Sequence, residues 1–98
     1  SNRQILSASY TYGLDDDGIK HINPIELYIC DSPNITDVSH MSNLRILDAW
    51  GDCGINDSGI KQLKIVELNV CNNIKISNVN HLINLQILNA TGRCGIND

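Results

Sequence analysis

Three sets of residues in this chain are of types that do chemistry. Cysteines stand at Cys30, Cys53, Cys71 and Cys94, histidines at His21, His40 and His81, and three carboxylates run together at Asp15-Asp16-Asp17. Thiol with imidazole suits a nucleophile or a zinc site, and clustered carboxylates suit a cation. Their spacing argues against all three. No C-x-x-C occurs, and Cys30 and Cys71 lie 41 residues apart, as do Cys53 and Cys94, and His40 and His81. A residue that recurs at a fixed interval is more often a corner of an architecture than a catalyst. His21 becomes Gln62 one interval later, with no partnered nucleophile. Asp15-Asp16-Asp17 meets Asn56-Asp57-Ser58, a helix start where acidic caps are expected. The expectation is a chain with no catalytic group, no cofactor and no metal site, and so not an enzyme.

The elements that must carry these residues come from an internal repeat. Shifted by 41, the sequence overlays itself without a gap. "GLDDDGIK" at 13–20 meets "GINDSGIK" at 54–61, "IELYIC" at 25–30 meets "VELNVC" at 66–71, and "NITDVSHMSNL" at 34–44 meets "KISNVNHLINL" at 75–85. Residues 5–45 and 46–86 share 16 identities over 41 positions, and many of the rest exchange one aliphatic for another. "CGIND" at 53–57 returns at 94–98, so a third copy begins at residue 87.

Each unit has a finer spacing. Leu44, Leu47 and Ala49 are +3 and +2 apart, followed by Cys53. Leu63, Val66 and Leu68 repeat that spacing before Cys71, and Leu85, Leu88 and Ala90 repeat it before Cys94. The steps from Leu44 to Leu63 to Leu85 are then 19 and 22 residues. This pattern resembles the leucine-rich repeat family, whose unit reads L-x-x-L-x-L-x-x-N/C. "CGINDSGIKQL" is similar to its cysteine-containing subclass and "NITDVSHMSNL" to a shorter subclass. Ala8, Ala49 and Ala90 depart from it, standing where Leu is usual, and Cys53 and Cys94 come one residue late.

The resemblance implies an α/β solenoid. A parallel β-sheet would form its concave face, and short helical or 3₁₀ returns its convex face. The residue pattern supports this. The L-x-L core alternates apolar and polar, which is a short half-buried strand. In "INDSGIKQL", Asn56, Asp57 or Ser58 is placed to cap a short helix. Ile35, Val38, Met41 and Leu44 fall every three residues, as do Ile76, Val79, Leu82 and Leu85, a period suited to 3₁₀ turns. Strands are expected to begin near Leu6, Ile25, Leu47, Val66 and Leu88. Residues 1–98 then read as a single uncapped solenoid of about four and a half rungs, a fragment of a longer array or a unit that associates end to end. The resemblance places each cysteine at the corner after a strand. Free thiols there imply a reducing, cytoplasmic setting; disulfides and a metal are the alternatives.

Composition narrows function. The seven Lys and Arg are scattered and the net charge is −4, which excludes a basic nucleic-acid surface. No apolar run is long enough to span a membrane. Function is then expected on the strand face, where outward residues form columns, one per rung. The spacing above gives columns Ile5-Pro24-Ile46-Ile65-Ile87, Ser7-Glu26-Asp48-Glu67-Asn89, Ser9-Tyr28-Trp50-Asn69-Thr91 and Tyr10-Ile29-Gly51-Val70-Gly92. The expected function is a protein-interaction module whose partner has basic character. Its contact residues are Trp50, Tyr28, Glu26, Asp48, Glu67, Asn69 and Tyr10. Alternatives are the substrate-recognition arm of an F-box-type ubiquitin ligase, implied by the resemblance alone, and a purely structural array.

Overall fold

The computed structural model describes residues 4–8 and 13–96. Five three-residue strands, β1 Ile5–Ser7, β2 Glu26–Tyr28, β3 Ile46–Asp48, β4 Glu67–Asn69 and β5 Ile87–Asn89, form one sheet. The sheet runs in chain order with every neighbouring pair parallel. Parallel neighbours need a crossover between them, so each strand is one side of a coil. The molecule is a parallel β-solenoid of about four stacked turns.

The interior is a set of columns. Leu6, Leu27, Leu47, Leu68 and Leu88 share one register position. Leu27, Leu47 and Leu68 are at most 1% exposed, whereas Leu88, in the last strand, is 41% exposed. Each rung is sealed only by its neighbours, as expected of a quasi-one-dimensional stack. The next inward column runs Ala8, Ile29, Ala49, Val70, Ala90. This accounts for the alanines at leucine positions. A small side chain in one rung is filled over by the branched Ile29 or Val70 of the next, which keeps the column close-packed.

The returns are short. The only helical segments among the described residues are one turn of α-helix, α1 Asp16–Ile19, and one turn of 3₁₀ helix, Asp57–Ile60. Asp15 caps the first by accepting from the Gly18 N–H at 3.0 Å, and Asn56 caps the second by accepting from the Gly59 N–H at 2.9 Å. After β2 and β4 the returns are separated turns, with no continuous helix. The bonds have i→i−3 spacing, as in Met41 N–H to Val38 O, Leu44 N–H to Met41 O, Leu82 N–H to Val79 O and Leu85 N–H to Leu82 O. Period three therefore builds successive corners here. Ile35, Val38, Met41 and Leu44 point inward and are fully buried.

The register differs from the expected one. Strands start within one residue of the expected positions, but β3 aligns Leu47 with Leu27 and Leu68. The steps from Leu47 to Leu68 to Leu88 are thus 21 and 20 residues, in place of 19 and 22. In β2 and β4 the inward trio is Pro24, Leu27, Ile29 and Ile65, Leu68, Val70. Both obey the same +3/+2 spacing, two residues along from the trio read in the sequence. Pro24, Ile29, Ile65 and Val70, expected on the strand face, are buried instead.

A column of backbone conformation explains why this register wins. Asp31, Gly51, Asn72 and Gly92, one per rung, all have left-handed φ, at 54°, 75°, 59° and 79°. Only Gly, Asn and Asp adopt that conformation readily. The Asp31 carboxylate accepts from the Asp52 N–H at 2.7 Å, and the Asn72 side-chain oxygen accepts from the Arg93 N–H at 3.0 Å. A Cβ at Gly51 would collide with the Asp31 Oδ1 atom, and one at Gly92 with that of Asn72. β2, β3, β4 and β5 therefore end in the same turn.

Candidate site on the strand face

The outward residues form three columns under the observed register. The first is Ile5, Glu26, Ile46, Glu67, Ile87, and the second is Ser7, Tyr28, Asp48, Asn69, Asn89. The third continues past the strand ends as Cys30, Trp50, Cys71, Thr91. Its register is carried by the bonds from Asp31 N–H to Trp50 O, Gly51 N–H to Cys71 O and Asn72 N–H to Thr91 O. Of the residues expected on this face, Trp50, Tyr28, Glu26, Asp48, Glu67 and Asn69 are there and half-exposed. Tyr10 lies outside the described residues.

Their neighbours are not the expected ones. Trp50 stands between Cys30 and Cys71; Tyr28 and Asn69 flank Asp48 instead. The carboxylates make no single row. Glu26 and Glu67 sit two rungs apart on either side of Ile46, and Asp48 is one column over. A two-residue slip keeps the alternation within a strand, so Glu26, Tyr28, Glu67 and Asn69 stay outward while Pro24, Ile29, Ile65 and Val70 turn in and the adjacencies across rungs change.

The electrostatics follow from this arrangement. The Tyr28 hydroxyl donates to the Glu26 carboxylate at 2.6 Å. That bond is the main reason the phenol is pushed up to about 12, with burial and the charges of Glu26, Glu67 and Asp48 adding to it. Asp48 is raised above the ordinary carboxylate range by burial, partly offset by the bond its carboxylate accepts from the Trp50 N–H at 3.2 Å. The described residues of the three columns hold three carboxylates and no Lys, Arg or His. No hydrogen bond links the Trp50 indole N–H to any protein atom among the described residues. Cys71 is tied into the face, its sulfur 2.8 Å from the Asn89 side-chain oxygen and 3.0 Å from the Thr91 hydroxyl.

The four cysteines are free, but only two sit at the expected corner. Cys53 is buried there, its sulfur accepting from the Ile55 N–H at 3.3 Å, and burial pushes its thiol up to about 12. Cys94 occupies the matching place, 2.9 Å from the Ala90 carbonyl. In the alternate rungs that corner belongs to Ser32 and Asn73, both fully buried. Asn73 donates to the carbonyls of Ala49 and Ile55 at 2.9 and 3.2 Å and accepts from the Lys75 N–H at 3.0 Å. The Ser32 hydroxyl donates to the Ala8 carbonyl at 2.7 Å. Sequence reasoning passed over both, and missed Cys30 and Cys71 as face residues. The signal was present in Asp31, Gly51, Asn72 and Gly92, spaced 20, 21 and 20 residues, which align every strand end.

The histidines and the acidic run hold corners. The His40 Nε2 atom bonds the Ile19 carbonyl at 3.0 Å, and His81 does the same to Ile60 at 3.2 Å. Asp16 accepts from the N–H and hydroxyl of Thr36, and Asp57 from those of Ser77. Among the described residues no three His, Cys, Asp or Glu side chains gather as a metal set, and no helix is long and apolar enough to cross a membrane.

Fold and site together define a class: a repeat protein built as a parallel β-solenoid, presenting one acidic, aromatic-bearing strand face. Comparison with protein-family models, with curated proteins and with solved structures finds no match.

Proposed function

We propose that this chain is a leucine-rich-repeat-type interaction module, binding a basic protein segment on its strand face. The observation that carries the reading is a contrast between the two copies of the unit. Inward positions repeat in kind, with Leu27 matched by Leu68 and Ile29 by Val70. On the face, Ile5, Glu26 and Cys30 also repeat, as Ile46, Glu67 and Cys71, but Tyr28 becomes Asn69, Ser7 becomes Asp48, and Trp50 becomes Thr91. Stacking demands sameness inside and leaves the face free to differ, so a surface that differs is one that recognises. An aromatic ring beside the carboxylates of Asp48 and Glu67 suits a cationic partner, through cation–π contact and ion pairing.

The test is a titration with short Lys- and Arg-containing peptides, followed by backbone amide shifts. Saturable shifts on β2, β3 and β4 that vanish in Trp50→Ala support the reading. Shifts confined to the return segments, or acidic peptides that compete equally with basic ones, refute it.

A further inference from the structure

We propose that the edge of the solenoid at Lys64 and Asn84 binds a small organic phosphate, a phosphate monoester with an apolar ester group. This site lies just before the strands, apart from the acidic columns, and does not depend on the strand-face reading.

The first copy of the unit closes this edge with a side chain. The Asn23 side-chain oxygen accepts from the Asn43 N–H at 2.9 Å, and its nitrogen donates to the Ser42 hydroxyl at 3.1 Å. One amide ties a rung to the turn before the next strand and satisfies a backbone donor. The matching residues of the second copy are Lys64, Ile83 and Asn84. Lysine has three donors and no acceptor, and an isoleucine side chain has neither. The bridge cannot form, and the Asn84 N–H has no protein acceptor among the described residues.

A cavity of about 480 Å³ opens at that place. Its polar lining is Arg45, Lys64, Asn84 and Gln86, and its apolar wall is Val66, Ile83 and Leu85, with no Asp or Glu. Neither cation is in an ion pair among the described residues. The Arg45 guanidinium is held by its Nη1 atom, which donates to the carbonyls of Ser42 and Leu44 at 3.2 and 2.9 Å. Its other N–H groups are left to a ligand.

These groups specify the ligand. An anionic oxygen takes the place of the missing Asn side-chain oxygen and accepts from the Asn84 N–H. Two cations match a dianion, and a guanidinium beside an ammonium suits the several oxygens of a phosphate. A phosphate monoester is a dianion above about pH 6. Ile83 is 88% exposed beside Val66 and Leu85, so an apolar ester group covers surface that inorganic phosphate would leave wet.

The Asn84 amide is the reporter, followed by amide shifts on the whole chain with phenyl phosphate as the probe. Phenyl phosphate should move the Asn84 N–H saturably and leave the Asn43 N–H, already bonded, in place. It should bind about tenfold more tightly than inorganic phosphate, which lacks the apolar group, and than benzoate, which carries one charge. Neutral benzyl alcohol should not move Asn84. Affinity should rise severalfold as the pH rises through about 6 and the phosphate loses its second proton. Lys64→Asn with Ile83→Ser rebuilds the bridge of the first copy and should abolish binding. Arg45→Gln, matching Gln4 and Gln86 in the same column, should weaken it about tenfold.

No saturable shift at Asn84 overturns the site. Binding unchanged in Arg45→Gln overturns it as well, whether or not the double variant folds. Inorganic phosphate as tight as phenyl phosphate overturns the apolar ester group, and benzoate as tight overturns the dianion. A blocked phosphotyrosine peptide that binds tenfold more tightly than phenyl phosphate overturns the assignment to a small molecule.

Discussion

Asp16 and Asp57 occupy matched places in the two copies of the unit and do the same work. Each reaches one rung forward to a Thr or Ser and accepts from both its N–H and its hydroxyl. His40 and His81 are equally alike. Tyr28 and Asn69 also occupy matched places, and nothing about them is shared. Tyr28 donates to Glu26 in its own rung, whereas the Asn69 oxygen accepts from the Cys71 N–H at 3.1 Å. A corner side chain satisfies backbone groups that every turn leaves open, so the fold dictates its chemistry. On the strand face the partner changes from rung to rung: Asp48 and Asn69 each accept from the N–H two residues on, whereas Tyr28 bonds a neighbouring side chain. The contrast separates positions whose chemistry the stack repeats from positions where it varies.

The sharpest way to break that contrast is at the corner. Asn73→Ala leaves the buried carbonyls of Ala49 and Ile55 without the Asn73 donor and the Lys75 N–H without its acceptor, and should cost about 3 kcal/mol. Ser32→Ala, at the matched corner, removes the bond to the Ala8 carbonyl and should cost about 1 kcal/mol. Urea unfolding of both variants checks the order; equal losses would mean that the corner is not carried by these bonds.

Trp50→Ala is the complementary change. It should cost less than about 1 kcal/mol of stability, as a half-exposed face residue, and about 2 kcal/mol or more of binding, as a central anchor. Unfolding midpoints set beside peptide titrations decide it. A variant that fails to fold would move Trp50 from recognition to structure.

Within the face, the register makes a finer prediction. Double-mutant cycles should find a coupling of about 0.5 kcal/mol between Tyr28 and Asp48, which are directly opposed, and a smaller one between Tyr28 and Trp50. The reverse order would restore the register first read from the leucine spacing.

The smallest effects are in acid, and they differ in sign between the two regions. Burial alone would raise Asp57, but its bonds from Ser77 and Asn78 outweigh that and hold it below its ordinary 3.8. A depressed carboxyl contributes stability above its unfolded pKa, and that contribution is lost as pH falls below about 4. Asp48 is raised above 3.8 by burial, so protonating it as pH falls favours the folded state. Asp57→Asn should therefore flatten the acid loss of stability, and Asp48→Asn should steepen it. Unfolding free energies between pH 5 and about pH 3 test both signs.

Much of this was legible in the chain itself. The 41-residue period, the strand positions to within a residue and the Asp15 and Asn56 helix starts all follow from residue type and spacing. So does the outward direction of Glu26, Tyr28, Asp48, Trp50, Glu67 and Asn69, because alternation along a strand is a local property. Which residues adjoin across rungs is not local. Leu63-Val66-Leu68 and Ile65-Leu68-Val70 satisfy the same spacing, and a slip of two residues keeps the alternation along the strand itself, so hydrophobic pattern cannot choose between them. The stack chooses. It needs a left-handed residue at the end of every strand and a buried partner for the turn that follows. Only the register that aligns Asp31, Gly51, Asn72 and Gly92 supplies the first in four successive rungs, with Ser32, Cys53 and Asn73 buried in the turns after the first three. That requirement placed Trp50 between two cysteines and set Glu26 and Glu67 two rungs apart.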